Sequence, residues 1–175
     1  MSFSFYTVDT KYCDYLRIYD DKIPYIMEKK STRPFVGIIF AIKAFRYYAP
    51  LTSPKPKHLQ MKNQVDFLKI NDGKWGAINF NNMIPVNDFS LRKVELKPSL
   101  NDGRDMVAYK NLLMNQLSWC NSNRETILRQ AEKLYYLIIS GKAWESLSGR
   151  CCNFADDEVH CAEYCNLCIC DNKWK

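Results

Sequence analysis

Phe35-Val36-Gly37-Ile38-Ile39-Phe40-Ala41-Ile42-Lys43-Ala44 runs directly into Phe45-Arg46-Tyr47-Tyr48-Ala49-Pro50-Leu51, and this stretch decides the fold. Its β-branched and aromatic residues suit a pleated, half-buried surface, so it reads as two strands, 35–44 and 45–51, paired antiparallel. Upstream, residues 3–8 alternate as a short strand, and Asp9 caps a helix whose Tyr12, Tyr15, Leu16 and Tyr19 recur at helical spacing. Residues 20–34 read as a loop. Downstream, residues 66–70, 75–80 and 91–96 are short strand candidates, with Asp72-Gly73 as the first turn. A helix is expected from Asn101 or Asp102 to Cys120, with Met106, Tyr109, Leu113 and Leu117 on one stripe. Ser122 and Glu125 form a capping box for a second helix, which Gly141 stops. Ile127, Ala131, Leu134 and Ile138 give that helix one apolar face, predicting a helical hairpin packed on the sheet. The fold class is α+β.

The chain has 175 residues, 47% of them hydrophobic and 25% charged, which is one ordinary domain with a core and excludes a disordered or low-complexity polymer. Its longest apolar runs, 35–42 and 134–139, fall short of the ~18 to 20 residues of a spanning helix. Nor does the N-terminus show a basic start followed by an apolar stretch, so the expected compartment is the cytoplasm, with the eight cysteines mostly reduced.

Charge is unevenly spread. The net charge is +6, yet residues 29–65 contain no Asp or Glu while carrying Lys29, Lys30, Arg33, Lys43, Arg46, Lys55, Lys57 and Lys62. Phe35, Phe40, Phe45, Tyr47 and Tyr48 are interleaved with them, combining cations for phosphates with flat rings for bases. That is what binding of single-stranded RNA requires. The plainer reading of the same window is a solvated basic edge.

Leu51-Thr52-Ser53-Pro54-Lys55-Pro56-Lys57-His58 follows the second strand directly. A proline biases the preceding residue away from the α region, so Ser53 and Lys55 are both pushed extended. Side chains two apart on an extended chain share a face, which directs Ser53 and Lys55 towards one point from a stiffened backbone. The alternative is a proline-rich loop whose hydroxyls cap local backbone groups.

Lys11-Tyr12, Arg33-Pro34-Phe35-Val36-Gly37-Ile38, Tyr48-Ala49-Pro50-Leu51-Thr52-Ser53-Pro54-Lys55, the segment from Ala77-Ile78-Asn79 to Met83-Ile84-Pro85, and Cys152-Asn153-Phe154 resemble the ToxN/AbiQ family. These are endoribonuclease toxins of type III toxin–antitoxin systems, in which the antitoxin is a repeated, structured RNA. The resemblance implies a strongly bent antiparallel sheet or partial barrel, similar to the Kid/MazF toxins, with added helices. It makes residues 1–154 a single toxin domain and leaves 155–175 as a divergent Cys-rich tail, packed on that domain or extending from it. It further implies metal-independent cleavage without a cofactor, a preference for adenine-rich single strands, and an antitoxin bound in the substrate groove of closed toxin–RNA assemblies. By resemblance the catalytic positions are Tyr12, Arg33, Thr52, Ser53 and Lys55, with Arg33 standing where relatives commonly have lysine. Arginine keeps the charge and adds a planar fork of donors, but cannot act as a base.

The chemistry so implied is attack by a ribose 2′-oxygen on the adjacent phosphorus, leaving a 2′,3′-cyclic phosphate and a 5′-hydroxyl. Lys55 and Arg33 would oppose the phosphoryl charge, Thr52 and Ser53 would orient phosphate or ribose, and Tyr12 would bond to either. Lys29, Lys30, Lys43, Arg46, Lys57, His58 and Lys62 would hold the strand. The base is open between a neutral Lys55, acting through Ser53, and His58, which titrates near neutrality but reads as a passive surface histidine. Tyr12 and Tyr109 also read as core positions of their helical stripes. Cys161, Cys165, Cys168 and Cys170, near Cys151, Cys152 and His160, supply enough ligands for a tetrahedral zinc site, but only Cys165-x-x-Cys168 has the C-x-x-C step, so ordinary thiols are the first reading and zinc the alternative. The rival function is a non-catalytic RNA-binding module, which explains the basic window but not the convergent Thr52, Ser53 and Lys55.

Overall fold

The structure, a computed structural model, describes residues 2–25 and 37–171, the last three without their side chains. Its strands are β1 (Phe5–Val8), β2 (Gly37–Ile42), β3 (Phe45–Thr52), β4 (Phe67–Lys69), β5 (Ala77–Asn79), β6 (Ile84–Val86) and β7 (Leu91–Lys93). Its helices are α1 (Thr10–Arg17), α2 (Pro56–Gln60), α3 (Arg104–Ser122), α4 (Arg124–Ile139), α5 (Glu145–Ser148) and α6 (Phe154–Asp171).

The strands form one open antiparallel sheet in the order β4-β5-β3-β2-β1-β7, with β6 also on β3. The β2–β3 hairpin is its spine, paired from Gly37↔Pro50 to Ile42↔Phe45 around Lys43 and Ala44. Lys43 turns the corner in the left-handed region, at φ 52. The far edge of β3 changes partner along its length: Arg46, Tyr47 and Tyr48 pair with β6, whereas Leu51 and Thr52 pair with β5. Because Ala49 and Pro50 separate those two pairings, the end of β3 is led away from β6 and into the segment that follows Thr52.

β3 is buried on both faces from Tyr47 to Leu51, and this overrides the RNA-stacking role expected of Phe40, Tyr47 and Tyr48, while Phe45 is half-buried. Phe40, Tyr47 and Tyr48 are 6%, 0% and 2% exposed. Tyr47 meets Tyr135 and Phe154 edge-on, and its hydroxyl donates to Glu158 Oε1 at 2.7 Å. These rings are core because α4 and α6 cover that face of the sheet. Phe35 lies outside the described residues.

Two features differ from the sequence expectation. β6 contains Pro85, which pairs with Tyr47 and hides the strand from a propensity reading. Asn123 alone joins α3 to α4, with φ −111 and ψ 23, and no side chain caps α4. At the C-terminal end the described part of the tail is helical and packs on the domain. Residues 155–171 continue the helix begun at Phe154 and bury Asp157 and Cys161 against the sheet and α1, at 0% and 4% exposed. Among the described residues no helix is long and apolar enough to cross a membrane.

Candidate active site

Where β3 runs out, the chain keeps its extended course for one short stretch and then turns into α2. Thr52 is half-buried, while Ser53, Pro54 and Lys55 are exposed. Lys55 has φ −135 and ψ 145, the extended backbone that a following proline enforces. Pro56 then occupies the first turn of α2, where its missing N–H costs nothing. His58 N–H donates to the Lys55 carbonyl at 2.9 Å, closing the turn directly behind the lysine.

Two glycines in the turn after β4 hold this segment from beneath. Gly76 has φ +96, and a Cβ there would lie 2.0 Å from the Thr52 carbonyl oxygen and 3.1 Å from the Ser53 carbonyl carbon. Gly73 has φ +89, and a Cβ there would meet the His58 carbonyl oxygen at 2.5 Å. Backbone packs on backbone at both places, which only a residue without a side chain permits. Gln116, buried on α3, fixes the turn by donating from Nε2 to the Trp75 carbonyl at 2.5 Å. On the far side of α2, Arg150 clamps Asp66 through Nε and Nη2 at 2.6 and 3.0 Å, and Nη2 also reaches Gln64 Oε1 at 3.1 Å. The Ser53–Lys55 stretch is thus an exposed chain on a rigid seat.

Thr52 Oγ1 is buried and has no hydrogen-bond partner. A buried hydroxyl left unsatisfied costs about 1–3 kcal/mol, and such a group is a reservoir for a function that supplies the missing partner. It sits next to Ser53, whose hydroxyl is in solvent.

The remaining expected residues divide. Lys57 and Lys62 are exposed on α2 and just beyond it. Lys43 and Arg46 are at the other end of β3: Lys43 Nζ lies over the Tyr135 ring at 5.2 Å, and Arg46 pairs with Asp88. They are six or more residues from Thr52, roughly 20 Å along a strand. Lys29, Lys30 and Arg33 lie outside the described residues.

Two positions are corrected by burial. His58 is 2% exposed, tilted against Phe67 with ring centroids 5.6 Å apart, and its Nδ1 has no partner. Burial, reinforced by Lys55 and Lys57, lowers its pKa below the usual 6.5. A ring so enclosed does not contact a strand at the surface. Tyr12 is 0% exposed, and its hydroxyl donates to the Pro85 carbonyl at 2.7 Å. Burial raises its pKa far above the ordinary phenol value, with Cys161 and Asp157 adding to the effect. Pro85 stands opposite Tyr47, five residues before Thr52, so the hydroxyl is bonded to the other half of the β3 edge. Tyr109, 6% exposed, is likewise core.

Sequence reading missed Gly73, Gly76 and Gln116, whose roles come from packing, and also Lys74. That lysine lies outside the acid-free window, yet it is exposed on the turn that Gly73 seats against α2. His160 stays apart, stacked on Tyr19 at 3.5 Å and bonded to Glu163.

Residues 4–161 match the family described as "Toxin ToxN, type III toxin-antitoxin system", and the chain belongs to that family. It is 33% identical over 161 residues to Endoribonuclease ToxN of Pectobacterium atrosepticum, covering 86% of this chain and 87% of that protein. A solved structure concerned with selective toxin inhibition by a non-coding RNA pseudoknot matches at TM-score 0.72 and 30% identity, over 94% of this chain and 98% of that one. Another, concerned with a processed non-coding RNA that regulates a bacterial antiviral system, matches at TM-score 0.73 and 30% identity, over 89% and 95%.

Proposed function

We propose that this toxin is an endoribonuclease whose reactive phosphate lies against the Thr52-Ser53-Pro54-Lys55 segment. The observation that carries the reading is the pairing of a partnerless buried Thr52 Oγ1 with exposed Ser53 and Lys55 on a backbone held by Gly76. Thr52 and Ser53 orient the phosphate and the 2′-hydroxyl. Lys55 and Arg33 oppose the charge that grows on the non-bridging oxygens as the 2′-oxygen attacks, giving a 2′,3′-cyclic phosphate and a 5′-hydroxyl. The burial of His58 favours Lys55, acting through Ser53, over the histidine as the group that moves the proton. Tyr12 acts as a strut between α1 and β6.

RNA is held by Lys57, Lys62 and Lys74 around α2, by Lys29 and Lys30, and at a second patch by Lys43 and Arg46. Each phosphate contact adds a salt-dependent increment to affinity. The partner change along β3 supports the bent, Kid/MazF-like sheet expected of the family. The antitoxin is a repeated, structured RNA that occupies the same surface, is processed there, and assembles closed complexes with the toxin. The substrates are adenine-rich single-stranded cellular and phage messages, and their cleavage in the cytoplasm arrests growth during infection. The nuclease needs no metal or other cofactor.

The test is cleavage of a labelled adenine-rich RNA in excess chelator, with folding followed by circular dichroism and product ends read by mass spectrometry. Wild-type protein should yield 2′,3′-cyclic phosphate ends, and Lys55→Ala should lose at least 100-fold in rate while remaining folded. Binding without any cleavage by the wild type would make the chain an RNA-binding module. Full activity of Lys55→Ala would remove the site.

A further inference from the structure

Three side chains from distant parts of the chain come together outside the Thr52–Lys55 segment. Asp20 follows α1, Cys152 precedes α6, and Asp157 lies in the first turns of α6. One donor atom from each lies within 4.8 Å of the others. Their exposures are 6%, 1% and 0%, so this is an interior cluster and not the common case of surface carboxylates.

The hydrogen bonding of the three is unequal. Asp20 is held on both oxygens, accepting from Lys22 N–H at 2.9 Å and Asn153 N–H at 2.7 Å, and each oxygen keeps a free lone pair. The Cys152 N–H donates to the Asn81 carbonyl at 2.9 Å, which pins that residue's backbone and leaves the sulfur free to point inward. The Asp157 side chain has no hydrogen-bond partner: both carboxyl oxygens are buried and unsatisfied. Buried carboxylates are normally paired or bound to metal, and two unsatisfied oxygens facing a second carboxylate and a thiol need a shared positive centre.

We propose that Asp20, Cys152 and Asp157 bind one Zn²⁺ ion, which joins the end of α1 to the start of α6. Zinc takes carboxylate oxygen at about 2.0–2.2 Å and thiolate sulfur at about 2.3 Å in a tetrahedron, so its donors stand about 3.3–3.8 Å apart. The cluster reaches that spacing by closing about one ångström, within the reach of side-chain rotation. A thiolate and only three protein donors disfavour calcium, which takes six to eight oxygens, and magnesium, which keeps an octahedral shell of oxygens and water. Water fills the fourth position. On binding, the Cys152 thiol and the Asp157 carboxyl each release their proton to solvent, and no oxidation or reduction is involved. Three anionic donors around a dication leave one negative charge, which the nearby Lys22 ammonium offsets; its field reaches both Cys152 and Asp157. The ion fastens the start of the C-terminal helix, whose Phe154 and Glu158 meet Tyr47, to the chain that follows α1.

The test measures zinc per chain by elemental analysis in protein purified without added chelator, and thermal unfolding with zinc or chelator. Wild-type protein should carry one zinc, and its midpoint should fall by about 5–10 °C on removal, for zinc at 100-fold over its dissociation constant. Asp157→Asn, which keeps size and shape, should lose the metal and the zinc-dependent shift. Cobalt substitution should show a single thiolate charge-transfer band that Cys152→Ser abolishes. The double variant Cys165→Ser/Cys168→Ser should keep the ion, since those thiols stand on the outer turns of α6. Wild-type protein without stoichiometric zinc would overturn the proposal, as would metal that survives in Asp157→Asn and is lost in the Cys165/Cys168 variant.

Discussion

Gly76→Ala is the substitution whose effect the structure sizes most directly. At φ +96 an alanine is held in a backbone region that costs about 1–3 kcal/mol for a residue with a side chain. The new Cβ would stand 2.0 Å from the Thr52 carbonyl oxygen, where ordinary contact begins at 3.4 Å, so the two backbones must separate by more than 1 Å. Leu51 and Thr52 are tied to β5, and Trp75 is tied to Gln116, so the movement is pushed into Ser53 and the residues after it. Displacing reacting groups by about 1 Å costs on the order of 100-fold in rate. The variant should therefore lose about 2–4 kcal/mol in urea unfolding. It should also lose about 100-fold in single-turnover RNA cleavage at saturating enzyme, measured where circular dichroism shows it folded. Cleavage within threefold of wild type, in a protein as destabilised as expected, would show that the Thr52–Ser53 backbone does not position the reaction.

Further substitutions separate the remaining roles. Arg33→Lys should retain cleavage within about tenfold and Arg33→Ala should lose 100-fold or more, because the site needs a cation; an active alanine variant would remove Arg33 from it. Tyr12→Phe should cost about 0.5–1.5 kcal/mol of stability, the worth of its bond to Pro85, and leave the cleavage rate unchanged. A dead but stable Tyr12→Phe protein would return the hydroxyl to the chemistry. His58 is held neutral by burial, with a folded pKa below 6.5, so its contribution is present above pH 6.5 and is lost as pH falls through the lowered value. The urea midpoint of wild-type protein should therefore drop more between pH 7.5 and pH 5 than that of His58→Gln, and equal drops would refute the assignment.

The local pattern of the chain was enough for the β2–β3 hairpin, α1 and the stripes of α3 and α4, because period and propensity act over a few residues. The extended Lys55 was legible for the same reason: Pro56 restricts its neighbour whatever surrounds it. Family membership, too, follows from the order of short motifs along the chain. Tertiary structure decided which aromatic and basic residues face solvent. Tyr12, Tyr47, Tyr48 and His58 carry types and spacings compatible with RNA contact, yet all four are buried, the tyrosines in the core and His58 against Phe67 and the Gly73 turn. It also decided that the described cations of the acid-free window separate, Lys43 and Arg46 to one end of β3 and Lys55, Lys57 and Lys62 beyond the other, since a strand of eight residues keeps its ends apart. The roles of Gly76, Gln116 and Lys74, and the meeting of Asp20 with Cys152 and Asp157, depend on contacts between residues far apart in sequence. Burial and long-range approach are properties of the packed chain, and no local periodicity encodes them.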